Sequence, residues 1–526
     1  MPPDICHFTV PQKTTAAEVF AQLESLGKVR TEAAGNLLRT YFDTFDWRLW
    51  HHGSLLVEER SPNRNDVCWR YLADGRIIGQ LPGAVPRFRE GFPDSPLGHG
   101  IGPIIDIRAL LPVAVTQVAR HRGKLLNRDD KIVLRIVIEE AIAGEDAETI
   151  RFPVPLRIRL EPLKGYSKPF RKAQSLLEEI LALPAAASEL ETVLEAIGQK
   201  AAGYSSRLNL KLGSAMTAGA AVRIIFGRLL ETMERNCDGA RADIDPEFLH
   251  DFRVAVRRTR SLFSQTKGVL PEEAVQRFRP EFKWLGEITG PTRDFDVYLL
   301  TFPAYRACLD EAMRPDLEPL LDFLAERQRT AHKKLARQLG SLRCQLLFRE
   351  WREFLEAPPA KWTWPLKADL PIGGIASRRI WKACRLTWQE GMLVTPCSPP
   401  ETFHEMRILC KKLRYLLEFF QTLYPPKEIR ELIKILKELQ DNLGAHQDLT
   451  VQIRALQLFA AEMQQERKMP PGAAFIAMGA LIDHLKQRRL ALGAAFPPLF
   501  DRFAEKESRR LCKSLFADKN RPEEVE

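Results

Sequence analysis

The chain has 526 residues, 45% of them hydrophobic and 28% charged, which excludes a disordered or fibrous protein and predicts two or three globular domains. Its formal net charge of +10 favours anionic partners such as nucleic acid, phosphate polymers or acidic lipid. Because the N-terminus carries no signal segment and no apolar stretch reaches the ~18 residues that span a bilayer, we expect a cytoplasmic protein without membrane association.

The first part of the chain has the pattern of a mixed α+β domain, which we place at residues 1–195. Segments 15–27 and 169–183 have helical periodicity. The stretch 82–103 is dense in proline and glycine, which predicts a loop. Strand-like alternation and β-branched residues predict four strands, at 55–60, 67–73, 131–140 and 156–163.

The rest of the chain changes to long amphipathic segments, which predict an all-α domain at residues 205–520. Short breaks, most of them marked by proline, separate the segments, as expected at helix ends. We expect eight or more helices, about four in each of two repeats at about 210–355 and 372–515. This part carries the whole positive excess: residues 1–200 contain 26 basic and 26 acidic residues, and the remainder contains 52 and 42.

A basic motif occurs twice in the helical region. LHDFRVAVRRTR occupies 249–260, and FHEMRILCKKLRYL occupies 403–416. The same separation of 154 residues relates GPTRD to GAHQD downstream, which we interpret as two turns that follow helices. One separation that holds for two motifs indicates a duplicated module. The corresponding pairs of the basic motif are His250 and His404, Arg253 and Arg407, Arg257 and Lys411, Arg258 and Lys412, and Arg260 and Arg414.

On a helix with about 3.6 residues per turn, the basic residues of each copy form one stripe over three turns. Like charges at this spacing repel each other, so the stripe must face bulk water or be neutralised by an anion. Arginine forks and lysine ammonium groups suit the repeated phosphates of a polymer. Two alternatives remain open, a solvated surface and internal pairing with Asp294 and Asp448. The fixed separation argues against the first, and we expect the aspartates to orient arginines while most of each stripe stays available.

Further candidates for the same groove lie outside the two stripes. Lys283 and Lys437 share the 154-residue separation, and Arg293 and His446 belong to the GPTRD and GAHQD segments. For each of these the alternative is a solvated or structural residue. The remaining candidates are Lys333 and Arg337 in segment 326–343, Arg379 and Lys382 in SRRIWKACR, and Tyr415, the one aromatic residue within the basic stripes.

The helical region resembles the CHAD family, a conserved-histidine α-helical domain. The resemblance rests on the motif H-x-x-R-[VI]-x-x-[RK]-[RK]-x-R, followed by G-x-x-[RQ]-D, each present twice within about 205–515. It implies two four-helix bundles related by a pseudo-twofold axis, with the basic helices lining a positive channel. It also implies inorganic polyphosphate as the ligand, bound by the ten paired motif residues, and association with polyphosphate granules.

The first part resembles a divergent CYTH, or triphosphate tunnel, domain, which implies an antiparallel β-barrel. The cues are RTYFDTFDWRLW at 39–50, LLVEER at 55–60, KIVLRIVIEE at 131–140 and RLEPLKGYSKPFRKAQSLL at 159–177. CHFTVPQK at 6–13 replaces the Glu-x-Glu-x-Lys signature of that family, and Arg157 and Arg159 stand where glutamates are usual. Metal-assisted cleavage of a phosphoanhydride needs carboxylates, so we expect no hydrolysis here. Two alternatives remain for this domain, phosphate binding by residual cations such as Arg60, Arg135, Arg157 and Arg159, and a structural or docking role.

The leading hypothesis is a non-catalytic protein that binds inorganic polyphosphate and needs no cofactor or metal, with homodimer formation left open. The alternatives are an inorganic triphosphatase that uses the N-terminal domain and a nucleic-acid-binding protein. The scarcity of aromatic residues in the stripes argues against nucleic acid, since single strands usually stack on aromatic side chains. No P-loop, HExxH or Gly-x-Ser-x-Gly motif supports an enzyme. The nine scattered cysteines contain no CxxC pair, which predicts reduced thiols and no zinc site.

Overall fold

The computed structural model describes residues 6–10, 14–61, 67–73, 76–180, 183–184, 188–206, 208, 210–358, 361–465 and 469–517. The chain forms two compact units, Met1–Ser205 and Ser206–Glu526. The outermost residues of the predicted domains, 1–5 and 518–520, lie outside the described residues, as do residues 11–13 of CHFTVPQK. Within the described ranges, no helix combines the length and the apolarity needed to cross a bilayer.

The first unit is built on one antiparallel sheet. Its strands are β1 Cys6–Val10, β2 Val29–Thr31, β3 Gly35–Thr44, β4 Ser54–Arg60, β5 Val67–Ala73, β6 Arg76–Pro82, β7 Leu110–Leu126, β8 Ile132–Gly144, β9 Phe152–Pro162 and β10 Leu183–Pro184. The strand order is β10-β1-β9-β8-β7-β3-β4-β5-β6, and β2 pairs with β7. The four predicted strands correspond to β4, β5, β8 and β9. The expected antiparallel β architecture is confirmed as a curled, half-barrel sheet.

The helices of the first unit include both helices that were expected from the sequence. Predicted segments 15–27 and 169–183 correspond to α1 and α4. The last helix, α5, begins with a capping box in which Ser188 and Glu191 satisfy each other's backbone N–H groups, and this fixes the position of Glu189 in its first turn. The bounds are α1 Ala16–Leu23, α2 Arg48–His51, α3 Pro96–Ile105, α4 Ser167–Ile180 and α5 Glu189–Ala196.

Helix α3 shows that the loop predicted at 82–103 was wrong over its last part. Leu97, Ile101 and Ile105 recur every four residues and are buried. Ser95 caps the helix, since its Oγ accepts a hydrogen bond from the Gly98 N–H at 3.2 Å. The density of proline and glycine concealed this apolar period, and burial of the three side chains outweighs the low helix propensity of the segment.

The second unit is helical, as predicted, and its duplication is visible in where the helices begin. Helices α11, α12, α13 and α14 begin 154 residues after α6, α7, α8 and α9, respectively. The copies differ at their C-terminal ends, because α14 continues through residue 496, the position equivalent to the start of α10. The bounds are α6 Ala218–Arg241, α7 Pro246–Gln265, α8 Glu272–Ala307, α9 Glu318–Leu339, α10 Leu342–Glu356, α11 Ile372–Gly391, α12 Pro400–Phe420, α13 Pro426–Gln464, α14 Gly472–Ala504 and α15 Lys506–Phe516.

The predicted turns at GPTRD and GAHQD were wrong. Helix α8 runs without interruption through Gly290 and Pro291, and α13 runs through Gly444. Proline inside a helix removes one backbone hydrogen bond, so another contribution must hold α8 together. Apolar side chains of the same helix are buried on both sides of this proline, Leu285 before it and Tyr298 and Phe302 after it, and this packing offsets the lost hydrogen bond.

One hydrophobic cluster of the second unit contains buried side chains from both copies. Buried side chains of α8 and α9 from the first copy, such as Phe302 and Leu324, lie in the same cluster as their equivalents Leu456 and Met478 of α13 and α14. Phe295 and Phe459 stack with ring centroids 5.9 Å apart. Helices α7 and α12 are also in contact. The two basic motifs, one on each of these helices, therefore belong to neighbouring elements.

Candidate functional site

A groove between the two copies collects basic side chains from three helices. Its volume is about 620 Å³. Six of its lining residues are cationic, and among the described residues that line it none is acidic. The lining consists of Arg257, Arg260, Ser261 and Ser264 of α7, Arg279, Pro280 and Lys283 of α8, and Ile408, Lys411, Lys412 and Tyr415 of α12.

Amphipathic folding of α7 explains why its arginines reach the groove. Phe252, Val256 and Phe263 are buried, and Phe263 lies against Trp351 with ring centroids 5.5 Å apart. The opposite face of the same helix must then face outward, and there Arg257 and Arg260 are exposed. The predicted stripe is thus held in place by the aromatic core of the first copy.

Lys411 lies in a site that disfavours its positive charge. Burial lowers the pKa of its ammonium group to about 8, and the positive charges of Arg407 and Arg257 add to the shift. Asp448 opposes it but does not compensate. Because Arg257 belongs to the first copy and Lys411 to the second, the charges of both copies meet in one groove.

Arg253 and Arg407, which are equivalent, are partly buried and do not line the groove. Arg253 donates to the Thr289 hydroxyl at 2.9 Å and to the Gly286 carbonyl at 3.2 Å. Arg407 lies 3.7 Å from the Asp448 carboxylate. Burial lowers the pKa of both guanidinium groups, against the attraction of the nearby aspartates. Both arginines are electrostatically close to groove residues, Arg253 to Arg257 and Arg407 to Lys411, and therefore add positive charge to the site.

The two expected aspartates behave differently. Asp448 forms an ion pair with Arg407, as we expected of a carboxylate that orients an arginine. Asp294 is electrostatically close to Arg253, but no hydrogen bond or ion pair joins the two among the interactions of the described residues. Partial burial raises the pKa of the Asp294 carboxyl, and Arg253 and Arg293 only moderate that rise.

Arg258 and Arg414 were candidates for ligand binding, but both are bound by one carboxylate. Glu418 Oε2 accepts a hydrogen bond from Arg258 Nη2 at 2.7 Å, and Glu418 Oε1 accepts one from Arg414 Nε at 2.6 Å. Arg414 also donates to Gln440 at 3.1 Å. Neither arginine lines the groove, so these two cations connect α7, α12 and α13 instead.

The three candidate histidines have three different environments. Arg293 Nη2 and His250 Nδ1 are 3.0 Å apart, and Arg293 Nη1 donates to the Pro246 carbonyl at 3.1 Å, so this pair holds the start of α7. His404 is exposed on α12. His446 is 5% exposed and stacks on Phe403 with ring centroids 4.2 Å apart.

The structure removes His446 from the candidate ligand contacts. Burial lowers the pKa of its imidazole to about 4, and the charge of Arg489 adds to the effect. The ring is therefore neutral at physiological pH and has little surface to offer a ligand. His446 was a candidate because it adjoins Gln447, the equivalent of Arg293, and the sequence alone did not indicate its stacked core position.

The remaining sequence candidates divide into residues inside and outside the groove. Lys283 and Tyr415 line it. The ammonium group of Lys283 also lies 3.7 Å from Glu287. The others are surface or half-buried residues of α9, α11 and α13 that do not line it: Lys333, Arg337, Arg379, Lys382 and Lys437.

Sequence reasoning missed Arg279. Its position in the second copy is occupied by Ile433, so the duplication gave no signal. The available signal was its spacing from Lys283, four residues later on α8, which places both on one helix face. Ser261, Ser264 and Ile408 were also missed, because polar and apolar lining residues have no charge pattern.

The first unit has a charged cluster of its own on the sheet, and it is internally paired. Arg39, 4% exposed, donates to Glu59 at 2.7 Å, to Glu139 at 2.8 Å and also to Glu189. Arg120 bridges Glu59 and Glu139 at 2.6 and 2.7 Å. Burial alone would raise the pKa of the Glu139 carboxyl, but Arg39 and Arg120 hold it well below its usual range.

The residues of this cluster do not fit a divalent metal ion. Glu59, Glu139 and Glu189 all accept hydrogen bonds from arginines, so the oxygens that a cation would need are already engaged. Arg157 lies 3.4 Å from Glu189, and Arg159 lies 2.7 Å from Glu161. In the described part of the chain, no group of three His, Cys, Asp or Glu side chains is placed to hold a metal.

The geometry defines the second unit as a duplicated helical domain with a basic groove between its copies. Residues 224–457 match the family model of the CHAD domain. The second unit therefore contains a CHAD domain, and the resemblance drawn from the two motifs is confirmed.

Several solved structures are similar to this chain. The CHAD domain from the plant Ricinus communis is 26% identical, with a TM-score of 0.47, over 56% of this chain and 95% of that one. PptA from Streptomyces chartreusis is 16% identical, with a TM-score of 0.43, over 54% and 99%. HpAC1 from Hippeastrum, a protein with a dominant triphosphatase activity, is 12% identical, with a TM-score of 0.25, over 37% and 95%. No curated protein sequence matches the chain.

Proposed function

We propose that the second unit binds inorganic polyphosphate, without catalysis, in the groove between α7 and α12. The observation that supports this proposal is the set of six cationic lining residues with no acidic lining residue among the described ones. Burial lowers the pKa of Lys411, and the neighbouring positive charges of Arg407 and Arg257 lower it further, so the site disfavours its own charge in the absence of an anion. A bound polyanion would supply the negative charge that the groove itself lacks.

The arrangement of the cations favours a phosphate polymer over a single phosphate. They come from three helices and from both copies, whereas one phosphate group accepts only a few hydrogen bonds. Arg257, Arg260 and Arg279 can each hold oxygens as a fork, and the lysines add point charges. A flexible chain of linked phosphates would allow all of these groups to be engaged at once.

The same lining is poorly suited to nucleic acid. Tyr415 is the one aromatic side chain among the described lining residues. Proteins that bind single strands usually provide several aromatic platforms for the bases. In a competition experiment at equal total charge, we expect polyphosphate to displace a single-stranded oligonucleotide far better than the reverse.

The central test removes the four groove cations of α7 and α12. We expect the combined change Arg257→Ala, Arg260→Ala, Lys411→Ala and Lys412→Ala to lower affinity for long-chain polyphosphate by at least 100-fold, because most of the charge that faces the ligand is lost. Titration of a fluorescently labelled polyphosphate measures the affinity, and circular dichroism verifies that helical content is unchanged.

A variant with the same charge loss elsewhere serves as the matched control. Lys333, Arg337, Lys382 and Lys437 are exposed cations of the same unit that do not line the groove. Changing these four to Ala should reduce the affinity only a few-fold, through the weaker long-range field. Equal losses in the two quadruple variants would show that net charge, and not the groove, accounts for binding.

An inorganic triphosphatase activity of the first unit is not favoured. In the described buried cluster, Glu59 and Glu139 are held by Arg39 and Arg120, so these carboxylates are not available to the metal ion that phosphoanhydride cleavage would need. We expect no release of phosphate from inorganic triphosphate in the presence of Mg²⁺ or Mn²⁺. Phosphate released by the full chain, and lost on changing Glu59→Gln, would contradict this expectation.

The proposal extends to where the protein acts. A non-catalytic binder would accumulate where its ligand does, which predicts recruitment to polyphosphate granules in the cytoplasm. A fluorescent fusion of the parent should form foci that coincide with stained polyphosphate, and the quadruple groove variant should stay diffuse. Homodimer formation is a separate question that size-exclusion chromatography with light scattering answers.

A further inference from the structure

The two halves of the groove are not equivalent, and one carboxylate makes the difference. Glu418 of α12 holds both Arg258 and Arg414, and its side chain is 14% exposed. The equivalent position in the first copy, 154 residues earlier, is Ser264. Ser264 lines the groove and has no carboxylate to offer an arginine.

The basic motif residues of the two copies have different partners as a result. Lys412 is the equivalent of Arg258, and Arg260 is the equivalent of Arg414. Both Lys412 and Arg260 line the groove, and neither forms an ion pair with another described residue. At each of these two motif positions, the basic residue of one copy is paired with Glu418 and that of the other copy is not. The difference arises because position 418 is glutamate and its equivalent, position 264, is serine.

The geometry of the Glu418 contacts is that of a bound anion. One oxygen of the carboxylate faces the guanidinium group of Arg258, and the other faces that of Arg414. Forked arginine donors recognise carboxylate and phosphate in the same way. Glu418 also lies three residues beyond Tyr415 on α12, so it continues the helix face that lines the groove.

We propose that Glu418 is an internal substitute for a phosphate group and sets how many phosphates the groove engages. The proposal rests on the proposed function. By engaging two arginines, Glu418 limits the cationic lining to six residues and ends it on the side of Arg258 and Arg414. Glu418 is therefore a specificity determinant: it restricts the length of polymer that is held, while its ion pairs link α7 to α12.

The direct test replaces Glu418 with the residue of the other copy. In Glu418→Ser, the two released arginines extend the cationic lining, so affinity for long-chain polyphosphate should rise about tenfold. The slope of log K against log salt concentration should become more negative by about 1.4, since each of the two added contacts to a flexible polyanion contributes ~0.7. Binding of inorganic triphosphate should change less than threefold, because so short an anion is already surrounded by the six existing cations.

The reciprocal variant introduces the carboxylate into the first copy. In Ser264→Glu, the new side chain would lie four residues after Arg260, as Glu418 lies four residues after Arg414. We expect affinity for long-chain polyphosphate to fall about tenfold and the salt slope to become shallower. Glu353→Ser is the matched control, since it removes a carboxylate four residues after Arg349 on α10, outside the groove.

The possible outcomes are distinguishable. If the parent does not bind polyphosphate, the proposed function fails. If the parent binds but Glu418→Ser and Ser264→Glu both behave like Glu353→Ser, the assignment of Glu418 is overturned. Should loss of the α7–α12 link unfold Glu418→Ser, then Ser264→Glu and Glu418→Gln, which keeps a hydrogen-bonding side chain without the charge, decide the question.

Discussion

At the scale of single residues, Lys411 and Arg258 show how a close carboxylate changes the role of a cation. Lys411 lies in a groove without acidic lining residues, and burial together with its basic neighbours lowers its pKa to about 8. Arg258 has a carboxylate partner at 2.7 Å and forms a structural link. Basic residues of the same repeated motif therefore have different roles.

The lowered pKa of Lys411 makes binding depend on pH near neutrality. Its ammonium group is charged below pH 8 and loses its proton as pH rises through about 8, so affinity for polyphosphate should fall between pH 7 and pH 9. Because the bound polyanion stabilises the charged form, binding at pH 8 should also take up protons. Calorimetry in buffers with different ionisation enthalpies measures that uptake.

Lys411→Arg is the control for this pH effect. Arginine stays protonated throughout the range, so the variant should bind with little dependence on pH and with little proton uptake. An unchanged pH profile in Lys411→Arg would assign the titration to another group. The proton that is taken up on binding would then belong to a different cation of the groove.

Residue type was predictable from the sequence, but residue partnership was not. The motif indicated Arg257, Arg260, Lys411 and Lys412 because a constant separation of 154 residues connects two helices. It could not show that Glu418 holds Arg258, since those residues are 160 positions apart and meet only when α7 and α12 pack together. Arg279 has no counterpart in the second copy, and only the folded groove brings it to the others.

At the scale of elements, the spacing of buried residues explains where the helices run better than the positions of proline and glycine do. Four pairs of helices begin 154 residues apart, although the proline content of the copies differs. Helix α8 contains Pro280, Pro291 and Pro303 and remains continuous. Turn residues predicted breaks where none exist, because packing against neighbouring helices stabilises a helix more than its own propensity does.

The aromatic core of the first copy gives a prediction for these elements. Trp351 of α10 is fully buried and lies within 4.7 to 5.5 Å, between ring centroids, of Phe226, Phe278 and Phe282. Trp351→Ala should lower the free energy of unfolding by about 3–5 kcal/mol, since it leaves a large cavity. Thermal or urea denaturation measures the loss.

Trp381→Ala is the comparison for this variant, because Trp381 of α11 is only half-buried. It should cost clearly less than Trp351→Ala. Below its melting temperature, Trp351→Ala should still bind polyphosphate, since no groove residue changes. Loss of binding in a folded Trp351→Ala protein would show that the position of α7 depends on more than its exposed face.

At the scale of the whole molecule, positive charge is concentrated in one unit and neutralised in the other. The first 200 residues are balanced at 26 basic and 26 acidic side chains, and the arginines of their buried cluster are paired. The remainder has an excess of ten basic residues, the difference between 52 and 42. Charge-driven binding should therefore be a property of the second unit.

Salt dependence tests this distribution quantitatively. If six lining cations each displace counterions from a flexible polyanion, log K should fall with log salt concentration at a slope of roughly −4. Affinity for polyphosphate should then drop on the order of 10²-fold between 50 and 200 mM salt. A slope near −1 would mean that one or two cations carry the interaction and that the groove is not occupied along its length.

The shared core of the two copies has a consequence for how such a protein could arise. Phe302 and Leu324 of one copy are covered by Leu456, Met478 and their neighbours in the other. A polypeptide with a single copy would leave this apolar surface open to water and would have to associate with a second molecule of itself to cover it. Joining both copies in one gene product makes that association independent of protein concentration.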